Sequence, residues 1–214
     1  HRFTKKSNLS YNRWIYKLWV YHILFGILFY LYSLNNSADS VKYWRIASES
    51  NQQQILYYLL QGSGTPFMYV INYFPANTLG LSYFSGTILY TLIGFLAILK
   101  YIKITEIYVP DNSKIGKYKL FPLIFFLPNL HFWSVAIGKD TLSFLCIALV
   151  IHSINNIRKN FFVIILSLGF LYMVRPHITL MLLISFGFIL LFNKKISLLR
   201  RIFLSIILLI GISY

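Results

Sequence analysis

Cysteine is nearly missing from this chain: Cys146 is the one residue of its kind among 214, and it stands inside an apolar run. A disulfide framework and a Cys-rich metal site are both excluded on that count. No Gly-rich phosphate loop, no Ser, His and Asp series of the hydrolase kind and no HExxH pattern occurs. His131, His152 and His177 do not share one helix face at i, i+4 spacing, which argues against a metal triad. Acidic residues are few, five against 20 Lys and Arg. The cations are not gathered with aromatics into one basic face, so no nucleic-acid partner is expected. The first apolar run lacks an A-x-A-like exit, and no cleavable signal is read.

What is present instead is apolar length. The chain is 57% hydrophobic and 19% aromatic, with a mean hydropathy of +0.65, against roughly 45 to 50% apolar residues in ordinary soluble domains. The fold class this implies is all-α, a polytopic transmembrane helical bundle in contact with membrane lipid. Spans are expected at about Leu18–Leu34, Leu79–Ile102, Phe121–Ile137, Thr141–Ile157, Phe161–Val174 and Ile178–Phe192, with a seventh beginning at Ile202. The opening on His1 and the end inside an apolar run at Tyr214 suggest a piece of a longer polytopic protein.

Charge placement orients these spans. Residues 1–17 carry Arg2, Lys5, Lys6, Arg13 and Lys17 with no acid, and form a basic cytoplasmic segment ahead of a transmembrane domain over 18–214. Residues 100–119 hold five lysines against two acids, and Arg158, Lys159, Lys194, Lys195, Arg200 and Arg201 mark further inner loops. The outer loop, 35–78, sums to no net charge. There Asp39, Lys42, Arg45 and Glu49, spaced 3, 3 and 4 apart, form one charged stripe on a helix, with Asp39 or Ser40 suited to cap its start. We read an interfacial helix, then the breaker Gly62-Ser63-Gly64-Thr65-Pro66, then a second partly apolar piece over Phe67–Phe74.

The sharpest feature is Gly138-Lys139-Asp140, an ionisable pair with almost no loop to carry it into water. Arg175-Pro176-His177 is its counterpart between the fifth and sixth runs. The apolar runs around both turns are short, 14 to 17 residues, whereas a helix rising 1.5 Å per residue needs roughly 20 to cross about 30 Å. Both turns are thus expected in a recess below the outer surface, on the side of Asp39. Charge so placed is a functional-site hypothesis. Lys or Arg there binds an anion and stabilises a charged leaving group, and a nearby carboxylate takes a proton. The candidates are Asp39 and Asp140 for catalysis, with Lys139, Arg175, His177, Lys42 and Arg45 for substrate. A metal set is not indicated, although a divalent cation beside Asp39 is compatible with the pattern.

In organisation and short motifs the chain resembles the polytopic GT-C-type glycosyltransferases, such as the protein-mannosyltransferase-like and aminoarabinose-transferase-like enzymes. The resemblance is carried by Ser37-Ala38-Asp39-Ser40-Val41-Lys42-Tyr43-Trp44 just after the first span, by Phe126-Leu127-Pro128-Asn129-Leu130-His131-Phe132-Trp133-Ser134, and by the Gly138-Lys139-Asp140 and Arg175-Pro176-His177 turns. It implies a catalytic acid at Asp39, a polyprenyl-phosphate-linked sugar donor, and a glycan or lipid acceptor. It also implies cell-surface glycan assembly in a bacterial cytoplasmic membrane with the N-terminus inside. A single Asp39 stands where such enzymes often carry paired acids. An O-antigen-polymerase-like protein, or a lipid or solute transporter, is the competing reading; inverted repeats would favour the transporter, and none is visible.

Overall fold

A computed structural model describes residues 8–109 and 113–192. Its regular structure is helical apart from a two-residue hairpin, Lys114–Ile115 paired with Tyr118–Lys119. In chain order the helices are α1 (Asn8–Asn35), α2 (Asp39–Glu49), α3 (Gln52–Gln61), α4 (Thr65–Tyr73) running into a π-turn over Phe74–Thr78, and α5 (Tyr83–Tyr108). After the hairpin come α6 (Leu120–Leu123), a 3-10 turn at Ile124–Phe126, α7 (Pro128–Ser134), α8 (Lys139–Ile154), α9 (Ile157–Val174) and α10 (Pro176–Phe192).

Three of these helices are long and apolar enough to cross a membrane: Trp14–Asn35, Tyr83–Tyr108 and Ile157–Val174. A fourth is counted only if α7 and α8, bent by 106°, are taken together. That is fewer than the seven expected, and the reasons are physical. Helix α8 has 16 residues and α10 has 17, or about 24 and 26 Å of rise. The expected span over Phe121–Ile137 is not one helix. Pro122 and Pro128 push the residues before them out of helical geometry, and Phe121 and Leu127 are both extended. The seventh run and the cations at 194–201 lie outside the described residues.

The broken segment still travels the length of α1. Phe121 meets Trp14, Phe125 packs beside Leu18, His131 meets His22 and Phe132 meets Phe29. It therefore delivers the Gly138-Lys139 turn to the end of the bundle where α1 finishes. At the opposite end the Tyr108 hydroxyl donates to Asn155 Oδ1 at 2.7 Å, which places the last turns of α5 and α8 together.

Between α1 and α5 the chain forms three short helices rather than the two pieces expected. Helix α2 is amphipathic: Ser40, Tyr43, Trp44 and Ala47 are buried at helical spacing, while Lys42, Arg45 and Glu49 are exposed. Its N-cap is Ala38, with no side-chain cap bond, so neither Asp39 nor Ser40 caps it as expected. Helix α3 starts on a capping box, Asn51 with Gln54, and exposes Leu56, Tyr57, Leu59 and Leu60.

Helices meet where α5 is small. The Trp44 ring lies on Gly86, and the Ser134 carbonyl lies on Gly94 so closely that a Cβ there would overlap it. Gly94→Ala should therefore lower stability by about 1–3 kcal/mol through overpacking. Gly169→Ala, whose Cβ would meet nothing within 4 Å, is the matched control. Thermal unfolding in detergent measures both, and equal melting temperatures would remove Gly94 from the packing argument.

Candidate functional site

The end of α1, the start of α2, Gly64 ahead of α4, and the turns before α8 and α10 line one cavity of about 630 Å³. Its charged lining is Asp39, Lys139, Asp140 and Arg175, with His177 beside them. Five of the seven residues singled out from sequence thus converge. Lys42 and Arg45 do not: they sit on the exposed face of α2 and line no wall of the cavity. The stripe spacing was right for a helix, but its burial runs the other way, because Tyr43 and Trp44 supply more apolar area to bury than any other face of α2 offers.

Each charged group is held by a different device. Asp39 occupies the first turn of α2, where the helix dipole favours an anion. The buried Tyr43 points its hydroxyl at Asp39 Oδ2, 3.5 Å away. Burial first, and the Asp39 charge second, hold the Tyr43 phenol above its ordinary range, so it stays a donor toward that carboxylate. Asp39 itself is exposed to the cavity.

Arg175 is the C-cap of α9 and has left helical geometry, at φ −148 and ψ 87, as the following Pro176 requires. That break turns its guanidinium into the cavity, where Nη2 donates to Asp140 Oδ1 at 2.7 Å. The two side chains are 27% and 51% exposed, so the pair contributes little to stability; its effect is to aim the guanidinium. Asp140 is the second residue of α8, whose N-cap is Gly138, and it pairs with Arg175.

Lys139 is not neutralised by Asp140. Its ammonium donates to Thr65 Oγ1 at 2.9 Å, across 74 residues of sequence. Thr65 belongs to the stretch read only as a breaker, and that stretch is a wall of the site. The Gly64 N–H donates to the Met173 carbonyl at 2.7 Å, and its φ of +88 is a conformation in which glycine is at ease. Gly64, Thr65 and Tyr43 are the residues that sequence reasoning missed. Two glycines ahead of Thr-Pro were the available signal of a close backbone approach.

A second, more apolar groove of about 520 Å³ adjoins the first. Trp133, Asp140 and Arg175 line both, and Leu127, Phe144, Ile147 and Ile178 extend the groove along α7, α8 and α10. Among the described residues no three His, Cys, Asp or Glu side chains converge on a metal position.

Comparison with protein-family models, with curated proteins and with solved structures gave no match.

Proposed function

We propose that this chain is part of a bacterial cytoplasmic-membrane glycosyltransferase that takes sugar from a polyprenyl-phosphate donor at the outer face, in cell-surface glycan assembly. The observation that carries the reading is the join between the two cavities. One offers two cations and, besides the Asp140 carboxylate bonded to Arg175, that of Asp39, the other an apolar trough, and Arg175 stands where they meet. An amphiphile with a phosphate between a polar head and a long hydrocarbon chain matches that order of surfaces. In the reaction the acceptor hydroxyl attacks the anomeric carbon and loses its proton to Asp39. The bond from that carbon to the phosphate oxygen breaks, and the electron pair leaves on the lipid phosphate, against Arg175 and Lys139.

Orientation follows from charge asymmetry between the two ends. The cavity end carries Lys42, Arg45, Lys139 and Arg175 against Asp39, Glu49 and Asp140. The far end carries Lys17, Lys100, Lys103, Lys114, Lys117, Arg158 and Lys159 against Glu106 among the described residues. The positive-inside rule then puts the N-terminus in the cytoplasm, within a bundle of about seven spans. Helix α3, with its apolar side chains exposed, lies in the outer headgroup layer. With Cys146→Ser as background, Ser37→Cys should react with an impermeant thiol reagent in intact cells and Lys117→Cys should not. The reverse pattern would invert the scheme.

Donor binding has its own test. Trp133 lines both cavities, so a polyprenyl phosphate titrated into nanodiscs holding the full-length protein should give a saturable fluorescence change that Trp133→Phe abolishes. Uncharged polyprenol should give none at equal concentration. Equal responses to both lipids would reduce the site to a hydrocarbon groove.

A further inference from the structure

His22 of α1 and His131 of α7 line neither cavity; both are fully buried and meet Nδ1 to Nδ1 at 2.8 Å. The two outer nitrogens face backbone carbonyls: His22 Nε2 lies 3.0 Å from the Thr91 oxygen, and His131 Nε2 lies 2.6 Å from the Phe125 oxygen. The Phe125 carbonyl is available for a sequence reason, since the residue three positions on is Pro128, which has no N–H to give it.

Proton counting decides what this cluster is. A carbonyl oxygen only accepts, so each Nε2 must carry a hydrogen to make its bond. A neutral imidazole has one N–H, and two neutral rings supply two hydrogens for three contacts. With both spent on the carbonyls, the two Nδ1 atoms would face each other lone pair to lone pair. Moving one hydrogen to the centre only transfers the repulsion to a carbonyl. A third hydrogen satisfies all three contacts, and a fourth would set two N–H groups and two charges against each other. The 2.8 Å separation is hydrogen-bond distance, at which two facing lone pairs would repel.

We propose that His22 and His131 form a single-proton binding site, an imidazole–imidazolium pair whose shared proton fastens α7 to α1. Aromatic rings enclose the pair: Tyr21 lies at 85° to His131 with centroids 4.8 Å apart, Phe25 lies 5.7 Å from His131, and Phe95 lies 5.7 Å from His22. The titratable group facing the pair is the Tyr21 phenol on α1. Helix α5 brings Thr91 and Phe95, the 3-10 turn brings Phe125, and α7 adds no other titratable group. No carboxylate or ammonium among the described residues is bonded to either ring. The set of three hydrogen bonds is complete only while the third hydrogen is present. Its loss leaves the two lone pairs opposed and loosens α7, which leads through Ser134 to the Lys139 turn.

The test is nitrogen NMR of full-length protein, ¹⁵N-labelled at histidine, in nanodiscs. Across a pH titration we expect scalar coupling between the two Nδ1 nuclei while one proton is shared by the pair, and loss of the coupling once that proton has left. His131→Gln supplies an amide able both to accept from His22 and to donate to Phe125 without any added proton. It should keep the fold and abolish the pH-dependent change. Two neutral rings with no coupling from acid to neutral pH would overturn the proposal using wild-type protein alone. Stoichiometric zinc bound by both rings would overturn it as well and make the pair a metal site.

Discussion

Asp39→Asn should lower sugar transfer by about 10²–10⁴-fold, the usual cost of removing a general base, while leaving the protein folded. The geometry separates the two effects. Asparagine has the same shape, keeps an oxygen for the Tyr43 hydroxyl, and loses only the charge and the ability to take a proton. At the first turn of an exposed helix end that charge contributes about 0.3–1 kcal/mol to stability, too little to unfold a packed bundle. Initial rates in proteoliposomes and a melting temperature on the same preparation measure both quantities. Near-wild-type transfer would leave Asp39 as a solvated charge and return the base to another group.

Arg175→Lys should also be damaging, to a smaller extent and by a different signature. A guanidinium can hold Asp140 with one edge and two phosphate oxygens with another; an ammonium is a compact point charge with no such fork. Losing one hydrogen bond to a charged partner costs about 1.5–3 kcal/mol, or roughly 10- to 100-fold at 1.4 kcal/mol per factor of ten. The loss should show as a raised donor KM together with a lowered kcat, because the phosphate is gripped before and during bond breaking. Asp140→Asn should produce a smaller version of the same change, since it frees the guanidinium without removing it. Lys139→Arg keeps a cation near Thr65 and should retain part of the activity. If Arg175 merely reached for bulk headgroups, a lysine would serve equally well. An unchanged donor dependence in Arg175→Lys and Arg175→Ala would therefore reject the phosphate grip.

The convergence of Asp39, Lys139, Asp140, Arg175 and His177 was legible because each lies in a turn between apolar runs, where a charge has few reasons to be. The break at Arg175 was legible from Pro176. The third span was misjudged for the opposite reason: hydropathy averages composition over a window and does not register Pro122 and Pro128. Lys42 and Arg45 were assigned to the site on spacing alone, although Ser40, Tyr43, Trp44 and Ala47 already marked the face of α2 that would be buried. The partners Thr65 and Met173, and the His22–His131 pair, were not legible. Their contacts join positions as far as 109 residues apart, and no local pattern in a single sequence encodes which distant turn will arrive.

That distance has a consequence for how the protein is made. Helices α2 to α4 leave the ribosome long before the residues that complete the cavity wall, since Thr65 waits for Lys139 and the Gly64 N–H waits for the Met173 carbonyl. Chains emerge and fold from the N-terminus at about 5–20 residues per second, so the interval between Gly64 and Met173 is several seconds to some tens of seconds. During it the 62–66 stretch has no dock, and its peptide bonds are open to a protease on that side of the membrane. Nascent chains arrested before α9 should be cut there, and chains arrested beyond α10 should resist. The cavity is accordingly a late product of synthesis, closed by the same backbone bond that ends the exposure of the loop.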